Sequence, residues 1–107
     1  MEIVGPYPFR GEVVWLTSEE GGRKSGPPQD PTGYATVAHV PPGTATDTSA
    51  SFVLRNWNPN ESRAEAEGRW LIVDNEPPYR VEPGTVIVVT EGIRPVAHFH
   101  VREVIET

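Results

Sequence analysis

The C-terminal third of the chain carries two runs of β-branched residues separated by a short connection, and this pair constrains the fold more than any other feature. The runs are Thr85–Thr90 and Val96–Ile105, and the five residues between them include a glycine and a proline. β-Branched side chains favour strands, whereas glycine and proline favour turns. The sequence therefore predicts a β-hairpin near the C-terminus.

Alternation assigns the faces of the second run. One face carries Ala97, Phe99, Val101 and Ile105, and the other carries Val96, His98, His100, Arg102 and Val104. Earlier strands are expected to pair with this hairpin and bury its apolar face. Period-2 patterns predict four of them, at Phe9–Thr17, Tyr34–Val40, Ser49–Asn56 and Arg69–Val73. The Ser62–Glu65 segment has the spacing of a helix capping box, which predicts one or two helical turns across Arg63–Glu67.

Length and composition favour one all-β domain. A chain of 107 residues is long enough for a single core, so residues 1–107 are predicted to form one domain. Twelve prolines and ten glycines interrupt the chain often, as in a barrel or sandwich. The absence of cysteine excludes disulfides and thiol chemistry and fits a reducing cytoplasm. With no apolar run of about 20 residues and no secretory signal pattern, the protein is expected to be soluble and cytoplasmic.

Two segments at opposite ends of the chain carry a family resemblance. Residues 9–24 read Phe-Arg-Gly-Glu-Val-Val-Trp-Leu-Thr-Ser-Glu-Glu-Gly-Gly-Arg-Lys, and residues 90–105 read Thr-Glu-Gly-Ile-Arg-Pro-Val-Ala-His-Phe-His-Val-Arg-Glu-Val-Ile. The first is similar to the opening strand and Glu-Glu-Gly-Gly-Arg-His turn of the C-terminal β-barrel (domain III) of the elongation factor Tu family. The second resembles that domain's closing Arg-Glu-Gly-Gly-Arg-Thr-Val-Gly-Ala-Gly-Val-Val strand.

This resemblance implies a small six-stranded antiparallel β-barrel, in agreement with the six strands counted from the pattern. It also implies that Gly21, Gly22, Arg23, Gly92 and Arg94 are turn residues. The function is not carried over, because the chain has no Gly-x-x-x-x-Gly-Lys-Ser/Thr phosphate loop. Where the family has the small residues that leave room for transfer RNA, this chain has larger ones at 96–99. A net charge of −6 also opposes binding to phosphates.

Few residue groups suggest catalysis. His98 and His100 lie two residues apart on one strand face, with His39 as a conceivable third ligand of a zinc or iron site. The preferred interpretation is a solvent-facing stripe with Arg102, so no metal or cofactor is expected. Without a cysteine or a Gly-x-Ser-x-Gly motif there is no clear nucleophile. We therefore expect no catalytic residue and no enzymatic activity.

The function predicted from the sequence is that of a stand-alone, non-catalytic module that binds another protein. The candidate contact surfaces are the glycine- and proline-rich loop Glu19–Gly33 and Trp57, which is either an exposed anchor or a plug under the barrel. The candidate binding residues are Glu20, Gly21, Gly22, Arg23, Lys24, Trp57, Arg94, His98, His100 and Arg102. One alternative is an RNA-binding domain that uses Arg23, Lys24, Arg94 and Arg102 as a basic strip. A second is a small metal-dependent enzyme that uses His98 and His100. The sequence leaves the oligomeric state open.

Overall fold

The protein is a closed antiparallel barrel. A computed structural model describes residues 6–71 and 78–105, which form six strands and no helix. The strands are β1 (Phe9–Trp15), β2 (Tyr34–His39), β3 (Ala50–Arg55), β4 (Arg63–Trp70), β5 (Val86–Glu91) and β6 (Arg94–Val104). They close in the order β1-β4-β3-β2-β5-β6, with β6 returning to β1. The predicted all-β class and six-stranded barrel are confirmed, and the architecture is compatible with the resemblance stated above.

The barrel interior is filled with large aromatic side chains. Phe52 is fully buried at the centre, with ring centroids 4.9 Å from Trp70, 6.2 Å from Phe99 and 6.4 Å from Phe9. Alternation in β1 directs Phe9, Val13 and Trp15 inward. Aromatic side chains bury large apolar areas, so this cluster supplies much of the driving force for folding.

The prediction of a helical turn at Arg63–Glu67 is wrong, because these residues begin β4. Residues 63–68 of the strand pair with β1, and residues 67–70 pair with β3. Its inward residues are Ala64, Ala66, Gly68 and Trp70, and its outward residues are Arg63, Glu65, Glu67 and Arg69. Small inward side chains leave room for Phe52, whose ring lies 2.6 Å from where a Cβ on Gly68 would be. The fourth strand therefore starts six residues earlier than predicted, and Ile72 and Val73 of the prediction lie outside the described residues.

Two register shifts in β6 alter which of its residues face inward. Opposite β1 the register jumps between Arg10 and Gly11 and skips Arg102, as expected for a β-bulge. Beyond it Val104 packs against the core, which corrects its prediction as an outward residue. A second shift, opposite β5, skips Val96, and Val96 and Ala97 are both fully buried. Ala97, Phe99 and Val101 face inward as predicted.

Three connections meet at one end of the barrel, which we call the loop end. They are the β1–β2 loop (residues 16–33), the β3–β4 loop (residues 56–62) and the tight β5–β6 turn at Gly92 and Ile93. The turn needs glycine because Gly92 has a φ of 64°. The loop end therefore holds most of the residues that the sequence singled out for binding.

Candidate functional site

The β1–β2 loop is fixed to the β5–β6 hairpin by one carboxylate, that of Glu91. The Tyr34 hydroxyl donates a hydrogen bond of 2.5 Å to Glu91 Oε2, and the Arg23 guanidinium donates to the same oxygen. Arg23 also donates from Nε to the carbonyl oxygen of Gly26, at 2.9 Å. Arg94 Nη2 lies 3.7 Å from the other oxygen of Glu91. Arg23 and Arg94 are thus brought together, but both are engaged with the same carboxylate.

The electrostatics of this cluster favour a structural role. Burial alone would raise the pKa of Glu91, but hydrogen bonds from Tyr34 and Arg23 outweigh it and lower the pKa. Burial, together with the Glu91 carboxylate, raises the pKa of Tyr34 to about 12. Burial would lower the pKa of Arg23, yet the bond to Glu91 raises it. Each group therefore keeps one protonation state near neutral pH, which does not suit a general acid or base.

Glu20, Gly21 and Gly22 shape the turn that follows β1. Thr17 donates its backbone N–H to Glu20 Oε1 at 2.9 Å, and the Glu20 N–H returns a bond to Thr17 Oγ1 at 3.2 Å. Gly21 has a φ of 92°, and a Cβ on Gly22 would lie 2.3 Å from the Leu16 carbonyl oxygen. These residues therefore stabilise the turn that follows β1. Next to them Lys24 is exposed, and none of its contacts within the described residues is an ion pair.

Trp57 is a plug at the loop end and not an exposed anchor. Its side chain is 2% exposed, and its indole N–H donates to the carbonyl oxygen of Pro28 at 3.0 Å. The ring packs at 5.7 Å from Trp15 and 6.4 Å from Tyr34. Of the two alternatives for Trp57, the exposed anchor is therefore wrong and the plug is the one observed.

The outer surface of β2, β5, β6 and β1 carries a patch of valines and histidines, which we call the valine–histidine face. It consists of Val14, His39, Val86, Val88, His98 and His100. Val88 pairs with His39 on one side and with His98 on the other, and His98 pairs in turn with Val14. Directly opposite residues have Cβ atoms about 5 Å apart, so this row is contiguous. All three histidines of the chain lie on this face.

The adjoining outer surface, on β1, β4 and β3, is charged and internally paired, and Glu12 at its edge lies directly opposite His100. Glu67 lies 2.9 Å from Arg55 Nε and 3.5 Å from Arg10 Nε, and Arg63 lies 3.1 Å from Glu12. Arg55 also covers the ring of Tyr7, at 3.7 Å from the ring centroid. The exterior of the barrel is thus divided into an ion-paired side and the valine–histidine face.

The three histidines do not converge on a metal position. His39 and His98 are separated by β5, so their strands lie about 10 Å apart. Within residues 6–71 and 78–105 no group of three or more possible ligands forms. Burial lowers the pKa of His39, and its Nδ1 atom has no hydrogen-bond partner there. The geometry offers His98 and His100 at most as a two-residue pair.

The four residues of the suggested basic strip do not form one surface. Arg102 lies near the far end of β6, about 26 Å along the strand from Arg94. It is paired with Glu65, while Arg23 and Arg94 share Glu91. Phosphate binding depends on cations that are free to replace counterions. Of the four side chains, Lys24 alone lacks an ion pair within the described part of the chain.

A depression of about 250 Å³ opens at the loop end between the β1–β2 and β3–β4 loops. It is lined by Trp15, Leu16, Thr17, Ser18, Arg23, Lys24, Gly26, Pro27 and Ser62. Arg23 and Lys24 are the sequence-predicted candidates that it brings together. His98, His100 and Arg102 do not line it.

Comparison with known proteins adds no family. No protein-family model matches the chain, and no curated protein matches it by sequence. None of the described segments contains a helix that is long and apolar enough to cross a membrane.

Sequence reasoning missed the valines of the valine–histidine face. A detectable signal was present, because the run at 86–89 is apolar at outward as well as inward positions. A strand that is apolar on both faces is typical of a strand covered on both sides. Glu91 and Tyr34 were also missed as loop-fixing residues, and nothing local in the sequence marks them, since they lie 57 residues apart.

Proposed function

We propose that this protein is a non-catalytic protein-interaction module that docks its partner on the valine–histidine face. The observation that carries the proposal is the division of the barrel exterior. Arginines and carboxylates pair with one another on one side, while Val14, Val86 and Val88 lie partly exposed between histidines on the other. Central regions of protein interfaces are depleted in charged residues, so this face has the composition of an interface core.

Two further points support a protein partner. The titratable cluster around Glu91 is held in fixed protonation states, and the cations suggested for RNA are mostly neutralised. The resemblance to domain III of elongation factor Tu favours the same function, because in that family this barrel docks to neighbouring domains, to an exchange factor and to RNA and performs no chemistry. Fold analogy alone is a weak guide to function, and the composition of the surface is the stronger support for a protein partner.

The test is affinity capture from nuclease-treated host lysate with the purified protein as bait. Val88→Lys places a charge in the middle of the face, and Ala35→Lys places the same charge on an exposed outward position of β2, beyond the face. We expect at least one protein to be retained by the wild type and by Ala35→Lys and to be lost at least tenfold with Val88→Lys. A buried, unpaired charge in an interface costs enough to produce that loss.

The captured partner is then purified and its dissociation constant measured for the three baits. Both variants must first show wild-type circular dichroism and melting behaviour. If Val88→Lys retained every specific partner as well as the wild type does, the valine–histidine face would not be the binding site. Retention seen only in a parallel capture from lysate that has not been treated with nuclease would instead indicate RNA, and turnover of a metabolite by the purified protein would indicate an enzyme.

A further inference from the structure

The valine–histidine face is the part of the protein surface that can change its charge near neutral pH. Histidine is the side chain whose ordinary pKa, about 6.5, lies between about pH 5 and 8. The chain has three histidines and no cysteine, and all three histidines are on this face. His39 and His98 each lie directly opposite Val88, one on either side of it. Protonation of either one therefore places a positive charge beside the middle of the face.

His98 lies among apolar side chains, with one carboxylate near it. It is partly exposed, between Val88 on β5 and Val14 on β1. From the β1–β2 loop, the Glu20 carboxylate interacts with it through charge. Hydrogen bonds from Thr17 are the main reason that the pKa of Glu20 is low, and the charge of His98 lowers it further. In the free protein a protonated His98 thus has both water and an anion nearby.

The other charged groups around His98 belong to the ion-paired side of the barrel. His100 is the next outward residue on the same strand, and it lies directly opposite Glu12. Glu12 accepts a hydrogen bond from Arg63 at 3.1 Å, and Arg63 on β4 pairs with Val14. The strand on the other side of His98, β5, presents only valine to it. A charge on His98 is therefore stabilised by water and by Glu20, and both are accessible while the face is open.

His39 shows what covering does to a histidine on this face. It is partly buried at the end of β2, and burial lowers its pKa. Its Nδ1 atom is buried and has no hydrogen-bond partner within the described residues. Removing an imidazole from water disfavours its charged form. A protein docked over Val88 would cover His98 and disfavour its charged form in the same way.

We propose that docking on the valine–histidine face is controlled by protonation, so that the face binds its partner with His98 neutral and releases it when His98 takes up a proton. The inference rests on the proposed function, because it concerns the same face. The docked state holds the proton less tightly than the free state, so the affinity is complete at high pH and falls as the pH decreases through the histidine range. At about pH 5.5 a histidine of ordinary pKa is protonated about ten times more often than it is neutral. A histidine that must be neutral in the complex therefore weakens binding up to about tenfold at that pH.

The test measures the dissociation constant of the partner that is lost with Val88→Lys, at about pH 7.5 and about pH 5.5. We expect the wild type to bind about tenfold more weakly at the lower pH. Ala35→Lys, which adds a fixed charge beyond the face, should show the same ratio between the two pH values. His98→Gln, which stays neutral, should reduce this ratio at least about threefold. His98→Lys, which stays charged, should bind at least about tenfold more weakly than the wild type already at about pH 7.5. Circular dichroism of the baits and the partner at both pH values checks that they remain folded.

The outcomes separate this inference from the proposed function. A partner that depends on Val88 but binds the wild type equally well or more tightly at about pH 5.5 would overturn the inference alone. The same holds if His98→Gln keeps the wild-type ratio, because the titrating group would then lie on the partner or at another histidine. If no partner depends on Val88, the proposed function fails and the inference fails with it.

Discussion

A single carboxylate joins three segments at the loop end. Glu91 lies at the end of β5 and accepts hydrogen bonds from Tyr34 on β2 and Arg23 in the β1–β2 loop. The Arg23 guanidinium also lies 5.6 Å from the centroid of the Tyr34 ring. Three segments that are distant in sequence are thereby joined at one point, and the long loop becomes an ordered part of the barrel end.

The titration of Tyr34 tests this arrangement. Burial and the Glu91 carboxylate raise its pKa to about 12, whereas an unfolded tyrosine titrates at about 10. The folded state holds the proton more tightly, so the stability from this group is complete below pH 10 and is lost as the pH rises toward 12. Phenolate absorbance should show a tyrosine that ionises about two pH units above the ordinary pKa.

Glu91→Gln should lower the pKa of the Tyr34 hydroxyl toward its ordinary value, because the substitution removes the neighbouring negative charge. It should also lower the free energy of unfolding by about 1–2 kcal/mol, since the partly buried Arg23 loses its partner. Glu19→Gln, which removes an exposed carboxylate in the same loop, should change neither quantity. Ionisation of all three phenols near pH 10 in the wild type would contradict the arrangement.

Contacts between side chains that are distant in the sequence could not be predicted from it. The sequence pointed to Arg23 through its place in a Glu-Glu-Gly-Gly-Arg turn, but its partner Glu91 lies 68 positions away. Trp57 stands between two asparagines, a context that favours exposure, yet it is buried because Trp15, Tyr34 and Pro28 surround it. Such outcomes depend on which strands pair, and local spacing does not contain that information.

Among the strands, β4 could not be predicted correctly from its own sequence. Its inward positions are alanine, alanine, glycine and tryptophan, so its alternation has little hydrophobic contrast, and arginine and glutamate on the outside are good helix formers. Local propensity therefore favoured a helical turn, and pairing with β1 and β3 overrode it. Strands with strong contrast, such as β1, β3 and β6, were predictable to within one or two residues.

Gly11 lies where β1 pairs with β6, and substituting it tests how closely the two strands approach. A Cβ at this position would lie 1.9 Å from the backbone oxygen of His100, so alanine can enter only if the strands separate beside the bulge. Gly11→Ala should lower the free energy of unfolding by about 3 kcal/mol or more, measured by urea denaturation. Gly21→Ala is the matched control, because it has open space and carries only the cost of a φ of 92°, about 1 kcal/mol. Equal losses in the two variants would show that the seam is looser than described.

At the scale of the whole molecule, closure gives the barrel one interior and an exterior with two different sides. The interior was partly predictable, because alternation in the last strand already placed Phe99 and Val101 on its apolar, buried face. The two sides of the exterior could not be predicted. They depend on cross-strand neighbours such as Val88 and His98, and the sequence does not show which residues the strand register places opposite each other. The order β1-β4-β3-β2-β5-β6 includes two long crossovers, and alternation alone cannot supply it.

Unfolding should test whether one cooperative unit results. Phe52 contacts rings from β1, β4 and β6, so Phe52→Ala removes contacts on several sides of the barrel at once. We expect a loss of about 3–5 kcal/mol in the free energy of unfolding.

The described strands share one closed interior, so they should unfold together. Tryptophan fluorescence and far-ultraviolet circular dichroism should therefore report coincident urea transitions in the wild type, and both midpoints should fall together in the Phe52→Ala variant. Ile93→Ala, at the exposed hairpin tip, should shift both by less than about 0.5 kcal/mol. Separate transitions for the two probes would show that residues 1–107 do not behave as the single domain predicted from their length.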